Sequence, residues 1–205
     1  ISDRARLASA CNVIYAKDEK LIADCTDGVG LTKDLEENLK ASLKDKKILI
    51  LGAGGAARGI IPSIIEKNPA KLKIANRTES KALFLIEDLE GKVNLKEKNI
   101  ILEAGDLSDD FLLDDSYDLV INSTSISTQA GESLGLPKAL FLGTKLAYDL
   151  FYSVEKTVFM QEALENGAEK VSDGWGMLVE QGAESFRLWT NLIPDTSRLL
   201  EKPID

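Results

Sequence analysis

An α/β fold built on a doubly wound parallel sheet is what this 205-residue sequence predicts, on three observations. From Lys47 onward, short apolar runs alternate with segments of helical periodicity, the order that a parallel sheet with crossover helices requires. The runs are apolar at nearly every position, as in Ile48-Leu49-Ile50-Leu51, which suits strands covered on both faces. A glycine-rich turn, Gly52-Ala53-Gly54-Gly55-Ala56-Ala57, joins the first run to the first helical segment.

Ahead of the alternation, residues 1–30 hold short extended stretches and the turn-rich Cys25-Thr26-Asp27-Gly28. A charged helical stretch, Val29 to Lys44, follows. Lys47 to Leu51 is the first strand, bounded by Gly52. Ala56 to Lys67 reads as a helix, Leu72 to Ala75 as a second strand, and Glu79 to Leu89 as a second helix. Further strands are predicted at Asn99–Glu103, Tyr117–Asn122 and Leu146–Leu150. Met160 to Asn166 is helical, closed by Gly167 as a C-terminal cap. In the last strong helix, Trp175, Leu178, Val179, Gly182, Phe186 and Trp189 recur at helical spacing, with Pro194 beyond its end. It follows the last predicted strand and so is free to pack elsewhere. The acidic stretch from Glu103 to Asp118 lacks the spacing and closing Glu of a calcium loop, and is expected to be a solvated connection.

Composition narrows the chemistry. Asp plus Glu exceeds Lys plus Arg, 34 to 25, for a formal net charge of −9, which argues against a nucleic-acid partner. No run approaches the roughly 18 apolar residues of a membrane span, and no leader opens the chain, so neither a membrane nor secretion is expected. Two cysteines, Cys11 and Cys25, cannot build a disulfide framework, which fits a reducing, cytoplasmic location. The sequence contains 0 histidines. That excludes hydrolases built on Ser-His-Asp or Cys-His and any His-ligated metal, and no metal site is expected. Proton transfer must use Asp, Glu, Lys, Tyr or Cys.

The glycine turn fits the dinucleotide pattern through Gly52, Gly54 and Ala57. Gly52 permits the turn, Gly54 lets backbone approach a pyrophosphate, and Ala57 brings the helix close to the sheet. Free N–H groups at the helix start then face the phosphates; a plain strand-to-helix turn is the alternative. A site for NAD places a carboxylate at the tip of the second strand. Here the tip reads Asn76-Arg77-Thr78, with Lys81 one turn on. Arg77 and Lys81 suit a 2′-phosphate, with Thr78 as a further donor, so NADP is favoured over NAD. Thr78 could equally be a helix N-cap.

Seven segments in register resemble the shikimate dehydrogenase family. Ala10-Cys11-Asn12-Val13 is similar to its Ala-Val-Asn-Thr, and Asp24-Cys25-Thr26-Asp27-Gly28 to its Asp-Asn-Thr-Asp-Gly. Gly52 to Gly59 resembles its glycine loop and Asn76-Arg77-Thr78 its NADP-phosphate motif. Asn122-Ser123-Thr124-Ser125 resembles its turn beneath the nicotinamide. Tyr148-Asp149-Leu150-Phe151-Tyr152 resembles its Tyr-Asp-Met-hydrophobic-Tyr strand, and Asp173 to Gln181 its last helix start.

The resemblance implies reversible NADPH-dependent reduction of 3-dehydroshikimate to shikimate, on the route to aromatic amino acids. It implies a Rossmann-like domain at residues 45–172, with residues 1–44 and 173–205 belonging to a second, smaller α/β substrate domain. It places Asn12, Asp27, Tyr152 and Gln181 at the substrate, with Asp27 also catalytic. Gly52, Ala53, Gly54, Gly55, Ala56, Asn76, Arg77, Thr78, Lys81, Thr124, Leu150 and Gly174 fall at the cofactor. Without the resemblance, Asp27 could be a helix cap, Asn12 a turn residue, Gln181 a surface residue and Tyr152 a core edge. The family's acid/base is a Lys paired with the Asp at Asp27. That Lys lies upstream of the Asn12 motif, and no residue here matches it. The chain is therefore expected to be the C-terminal two-thirds of such an enzyme, of low activity alone, as a monomer or homodimer. Val13, Cys25 and Leu150 depart from the family's Thr, Asn and Met. The alternatives are a quinate/shikimate dehydrogenase using NAD and a non-catalytic dinucleotide-binding module.

Overall fold

The computed structural model describes residues 1–92, 98–126 and 133–201. At its centre lies a six-stranded parallel sheet in the order β5-β4-β3-β6-β7-β8. The strands are β3 (Lys47–Leu51), β4 (Lys71–Ala75), β5 (Ile101–Gly105), β6 (Leu119–Asn122), β7 (Leu146–Asp149) and β8 (Val171–Asp173). The order reverses direction between β3 and β6, the switch point at which doubly wound sheets bind ligands. Ile48, Leu49, Ile50 and Leu51 are all fully buried. Ile48 and Ile50 enter one core, and Leu49 and Leu51 the other, as a sheet covered on both faces requires.

Helices α3 (Gly55–Glu66) and α4 (Glu79–Glu90) follow β3 and β4; α5 (Asp109–Leu112) and α6 (Val158–Glu165) follow β5 and β7. Ile60, Ile61, Ile64 and Ile65 of α3 pack with Ile48, Ile50 and Ile74 of the sheet. Pro62 sits inside α3. After α6, Gly167 adopts φ +110°, where glycine carries no Cβ penalty.

Around this core lies what the residue pattern showed only dimly. Helix α1 (Asp3–Ala8) packs on α3, and β1 (Val13–Lys17) with β2 (Lys20–Asp24) forms an antiparallel hairpin. Its two turn residues, Asp18 and Glu19, take φ 50° and 61°, a type I′ turn without the Asn-Gly signal that advertises one. Helix α2 (Asp27–Lys33) continues into one π turn, Asp34–Asn38. Helix α7 (Trp175–Thr190) packs along α2, and α8 (Ser197–Leu200) closes the described chain.

Four expectations change. The helix from Val29 stops near Asn38 instead of Lys44, because Lys40 turns to φ 56° and Leu43 is drawn fully into the core. The strand expected at Asn99 begins two residues later, because Asn99 has φ 52°. A sixth strand, β8, follows the five predicted; at three residues it carries no periodicity to read. The acidic stretch is not simply solvated. Asp114, Asp115, Glu103 and Asp118 pair with Lys46, Lys47, Lys71 and the fully buried Lys73. Lys73 also lies 3.9 Å from the Phe111 ring centroid. Burying a lysine demands such pairing.

Candidate active site

A cleft of about 670 Å³ opens at the switch point, lined by Gly52 to Gly55, Asn76, Arg77, Lys81, Ser123, Thr124 and neighbours. Its floor is the turn after β3. Gly52 takes φ +104°, and a β-carbon there would stand 2.7 Å from Ser123 Oγ, so both the backbone angle and the approach of the β6 turn require glycine. A β-carbon at Gly54 or Gly55 would meet no atom within 4 Å. These two glycines open space above the turn instead of filling a packing gap. Gly54 caps α3 with no side-chain bond, and no acidic residue sits in the first turn, which leaves the helix N-terminus available to an anion.

Asn76 spans the cleft's rim. Its Oδ1 accepts from the Ala53 N–H at 3.2 Å, and its Nδ2 donates to the Thr78 carbonyl at 2.9 Å. Beyond it, Arg77 and Lys81 are exposed and pair with no carboxylate among the described residues. Thr78 holds the N-cap position of α4 but makes no capping side-chain bond. On the opposite rim, the Thr124 hydroxyl and N–H both donate to Asn122 Oδ1 at 2.7 and 3.0 Å. Asn122 in turn donates to the fully buried Asp149 at 3.1 Å. Thr124 is thus fixed from the sheet's interior.

A second cluster forms where the hairpin, α2 and α7 meet. Asn12 Nδ2 lies 2.7 Å from Asp27 Oδ1, 3.0 Å from Thr26 Oγ1 and 3.2 Å from Gln181 Oε1. Asn12 Oδ1 accepts the Thr26 N–H at 2.9 Å, which locks the amide's orientation. Ser185 lies 3.2 Å from Thr26 Oγ1. Close helix packing brings these groups together. A β-carbon at Gly30 would stand 2.6 Å from Gln181 Cβ, and one at Gly28 2.9 Å from the Gly59 carbonyl oxygen. Asp27 is the first residue of α2, and Thr26 holds the N-cap. Burial pushes the Asp27 carboxyl above the usual range, against the bonds from Asn12 and Cys25. Among the described residues no lysine or arginine pairs with Asp27.

Asn12, Asp27 and Gln181 therefore converge, and Gly52 to Gly55, Asn76, Arg77, Lys81 and Thr124 line one cleft. Ala56 is exposed in the first turn of α3. Gly174 packs on the Leu150 backbone, where a β-carbon would overlap the carbonyl oxygen. Tyr152 is 46% exposed, no core edge, and stacks edge-on against Trp175 at 5.9 Å. Thr26 and Ser185 join the Asn12 cluster, and Ser123 the cleft, without having been singled out by sequence. Both Thr26 and Ser123 lie inside quoted motifs, whereas Ser185 gave no signal in the sequence.

Comparison with known proteins places these clusters in context. A family model described as shikimate / quinate 5-dehydrogenase matches residues 34–130, and one described as shikimate 5'-dehydrogenase C-terminal domain matches residues 174–201. A shikimate dehydrogenase (NADP(+)) of Janthinobacterium sp. (strain Marseille) is 43% identical over 98% of this chain and 70% of its own length. An Ael1 enzyme from Pseudomonas putida matches in structure with TM-score 0.87 and 37% identity, over 100% of this chain and 72% of its own. Shikimate 5-dehydrogenase from Thermus thermophilus, solved in complex with NADP(H) and shikimate, matches with TM-score 0.80 and 31% identity, over 98% of this chain and 69% of its own.

Proposed function

This chain belongs to the shikimate dehydrogenase family, and from that premise we propose that it contributes the cofactor cleft and one wall of the substrate site to the NADP-dependent interconversion of 3-dehydroshikimate and shikimate. The observation that carries the reading is one of placement. Asn12, Asp27 and Gln181 converge beside α3, and α3 opens at its N-terminus on a cleft with two cations that pair with no carboxylate among the described residues. Gly59, against Asp27, lies about 6 Å along the helix axis from Gly55.

The residues of the cleft fit NADP. The space over Gly54 and Gly55 and the uncapped start of α3 suit a pyrophosphate, and Arg77 and Lys81 suit the extra ribose phosphate. When bound, the reduced cofactor supplies hydride for the ketone of the substrate. Asn12 and Gln181 hold substrate hydroxyls. Their side-chain amides already share one hydrogen-bond network, so little ordering remains at binding. Asp27 holds the charge and position of the proton-transfer group. Because no lysine or arginine touches Asp27 among the described residues, these 205 residues alone should turn over shikimate only slowly. No described helix is long and apolar enough to cross a membrane; a cytoplasmic location and a monomeric or dimeric state are part of the proposal.

Equilibrium binding of the two nucleotides tests the reading. NADP+ should bind more tightly than NAD+, and Arg77→Ala should remove the difference. Equal affinities in the wild-type chain would refute the assignment of the cofactor. A steady-state assay with shikimate and NADP+ should show slow turnover; rapid turnover would mean that a proton donor other than an Asp27-paired lysine is at work.

A further inference from the structure

Two residues outside any role given above lie against the Asp27 carboxylate. Cys25 is buried, with its Sγ 3.8 Å from Asp27 Oδ2 and 3.9 Å from the Gly59 carbonyl oxygen. Gly59 lies within α3. A β-carbon there would stand 2.7 Å from Asp27 Oδ2, 3.1 Å from its Cβ and 3.3 Å from its Cγ. Asn12 holds the other carboxylate oxygen at 2.7 Å. We propose that Cys25 and Gly59 are positioning residues that fix the Asp27 carboxylate against the helix whose N-terminus opens the cofactor cleft. The inference rests on the assignment of Asp27 to the substrate site.

Glycine is a poor helix former in a helix interior, and Gly59 has no positive φ to justify it. Its use is the bare backbone that lets Asp27 approach. The atoms a methyl group would meet belong to a side chain, so Gly59→Ala displaces the carboxylate before it disturbs the helices. Cys25 is a donor of weak polarity. Burial, together with the neighbouring Asp27 charge, pushes its thiol up to about 11, so at neutral pH it offers Asp27 a proton instead of a second negative charge. The groups facing Asp27 are Asn12 from the hairpin, Cys25 ahead of α2 and Gly59 from α3. Beyond Asp27, the charged groups that act on Cys25 are Asp24 and Arg4, which pair with each other at 2.7 Å, while Arg4 also pairs with Glu184.

Two measurements on the 205-residue chain test this. The first is the titration of the Asp27 carboxyl carbon by NMR, assigned with Asp27→Asn. Loss of the thiol donor in Cys25→Ala should raise the midpoint, and Cys25→Ser, which keeps a donor, should restore it. The second is calorimetric titration of shikimate and of NADP+. Cys25→Ala and Gly59→Ala should each weaken shikimate roughly tenfold, the order of one hydrogen bond, with NADP+ affinity within about twofold of wild type. Gly59→Ala stands as an independent arm if Cys25→Ala does not fold. An unmoved Asp27 titration, or unchanged shikimate affinity in either folded variant, overturns the inference. A wild-type chain that binds NADP+ but no shikimate overturns the substrate reading, and this inference with it.

Discussion

Arg77 and Lys81 are the residues proposed to separate two cofactors that differ by a single phosphate. Both are exposed at the cleft rim with no carboxylate partner among the described residues, so their charge is available to a ligand. Removing one charge-assisted contact costs about 1.5–3 kcal/mol. Arg77→Ala should therefore weaken NADP+ by roughly ten- to a hundredfold and leave NAD+ nearly unchanged, as nucleotide titrations would show. Asp24 supplies a pH test on the other side of the molecule. Burial pushes its carboxyl up, but the bonds from Arg4 and Ser2 more than offset this and hold it below the usual range. A depressed carboxyl contributes stability above its unfolded value of about 3.9 and loses it as pH falls through the folded value. Asp24→Asn should thus lower the melting temperature at neutral pH, and the gap to wild type should close as the pH drops below about 3.9; a gap independent of pH would contradict the pairing. The motifs made Arg77, Asp27 and Asn12 legible because each lies in a short local pattern. Cys25 and Gly59 were not legible as partners of Asp27, because their meeting depends on how α2 packs on α3, and a single sequence does not display that.

At the scale of elements, close helix approach builds the Asn12–Asp27–Gln181 cluster, and two glycines of α7 contrast in it. A β-carbon at Gly176 would overlap Asp34 Oδ1, whereas one at Gly182 meets nothing within 4 Å. Asp34, in the π turn, accepts the Tyr148 hydroxyl at 2.7 Å and the Asn38 amide at 2.9 Å. Burial pushes its carboxyl up against those bonds. Gly176→Ala should cost about 1–3 kcal/mol by overpacking this buried contact. Gly182→Ala should gain up to about 1 kcal/mol of helix propensity. Urea denaturation reads both as opposite shifts of the midpoint at constant slope. Equal effects of the two substitutions would mean that α7 does not approach Asp34 as described. The strand-turn-helix at Gly52 was legible because it is local and glycine-marked, and α7 because its apolar stripe repeats along the helix. The hairpin turn at Asp18-Glu19, the π turn and β8 were not. The first lacks the Asn-Gly or Asp-Gly pair that marks such a turn, and the last is three residues long.

For the molecule as a whole, the parallel sheet places the cofactor cleft at the C-terminal ends of β3 and β6, and α3 carries the structure from that cleft to Asp27. The acidic stretch that looked like a solvated connection is held by Lys46, Lys47, Lys71 and Lys73, so its charge is balanced locally while the net charge of −9 is unchanged. The two sites share one helix, and this is the central claim. Calorimetric titration of shikimate into the chain preloaded with NADP+ tests it most directly. The account predicts saturable binding at one site per chain, lost on Asp27→Ala and weakened on Gln181→Ala. Shikimate binding that survives Asp27→Ala unchanged, or no binding to the NADP+-loaded chain, would contradict it.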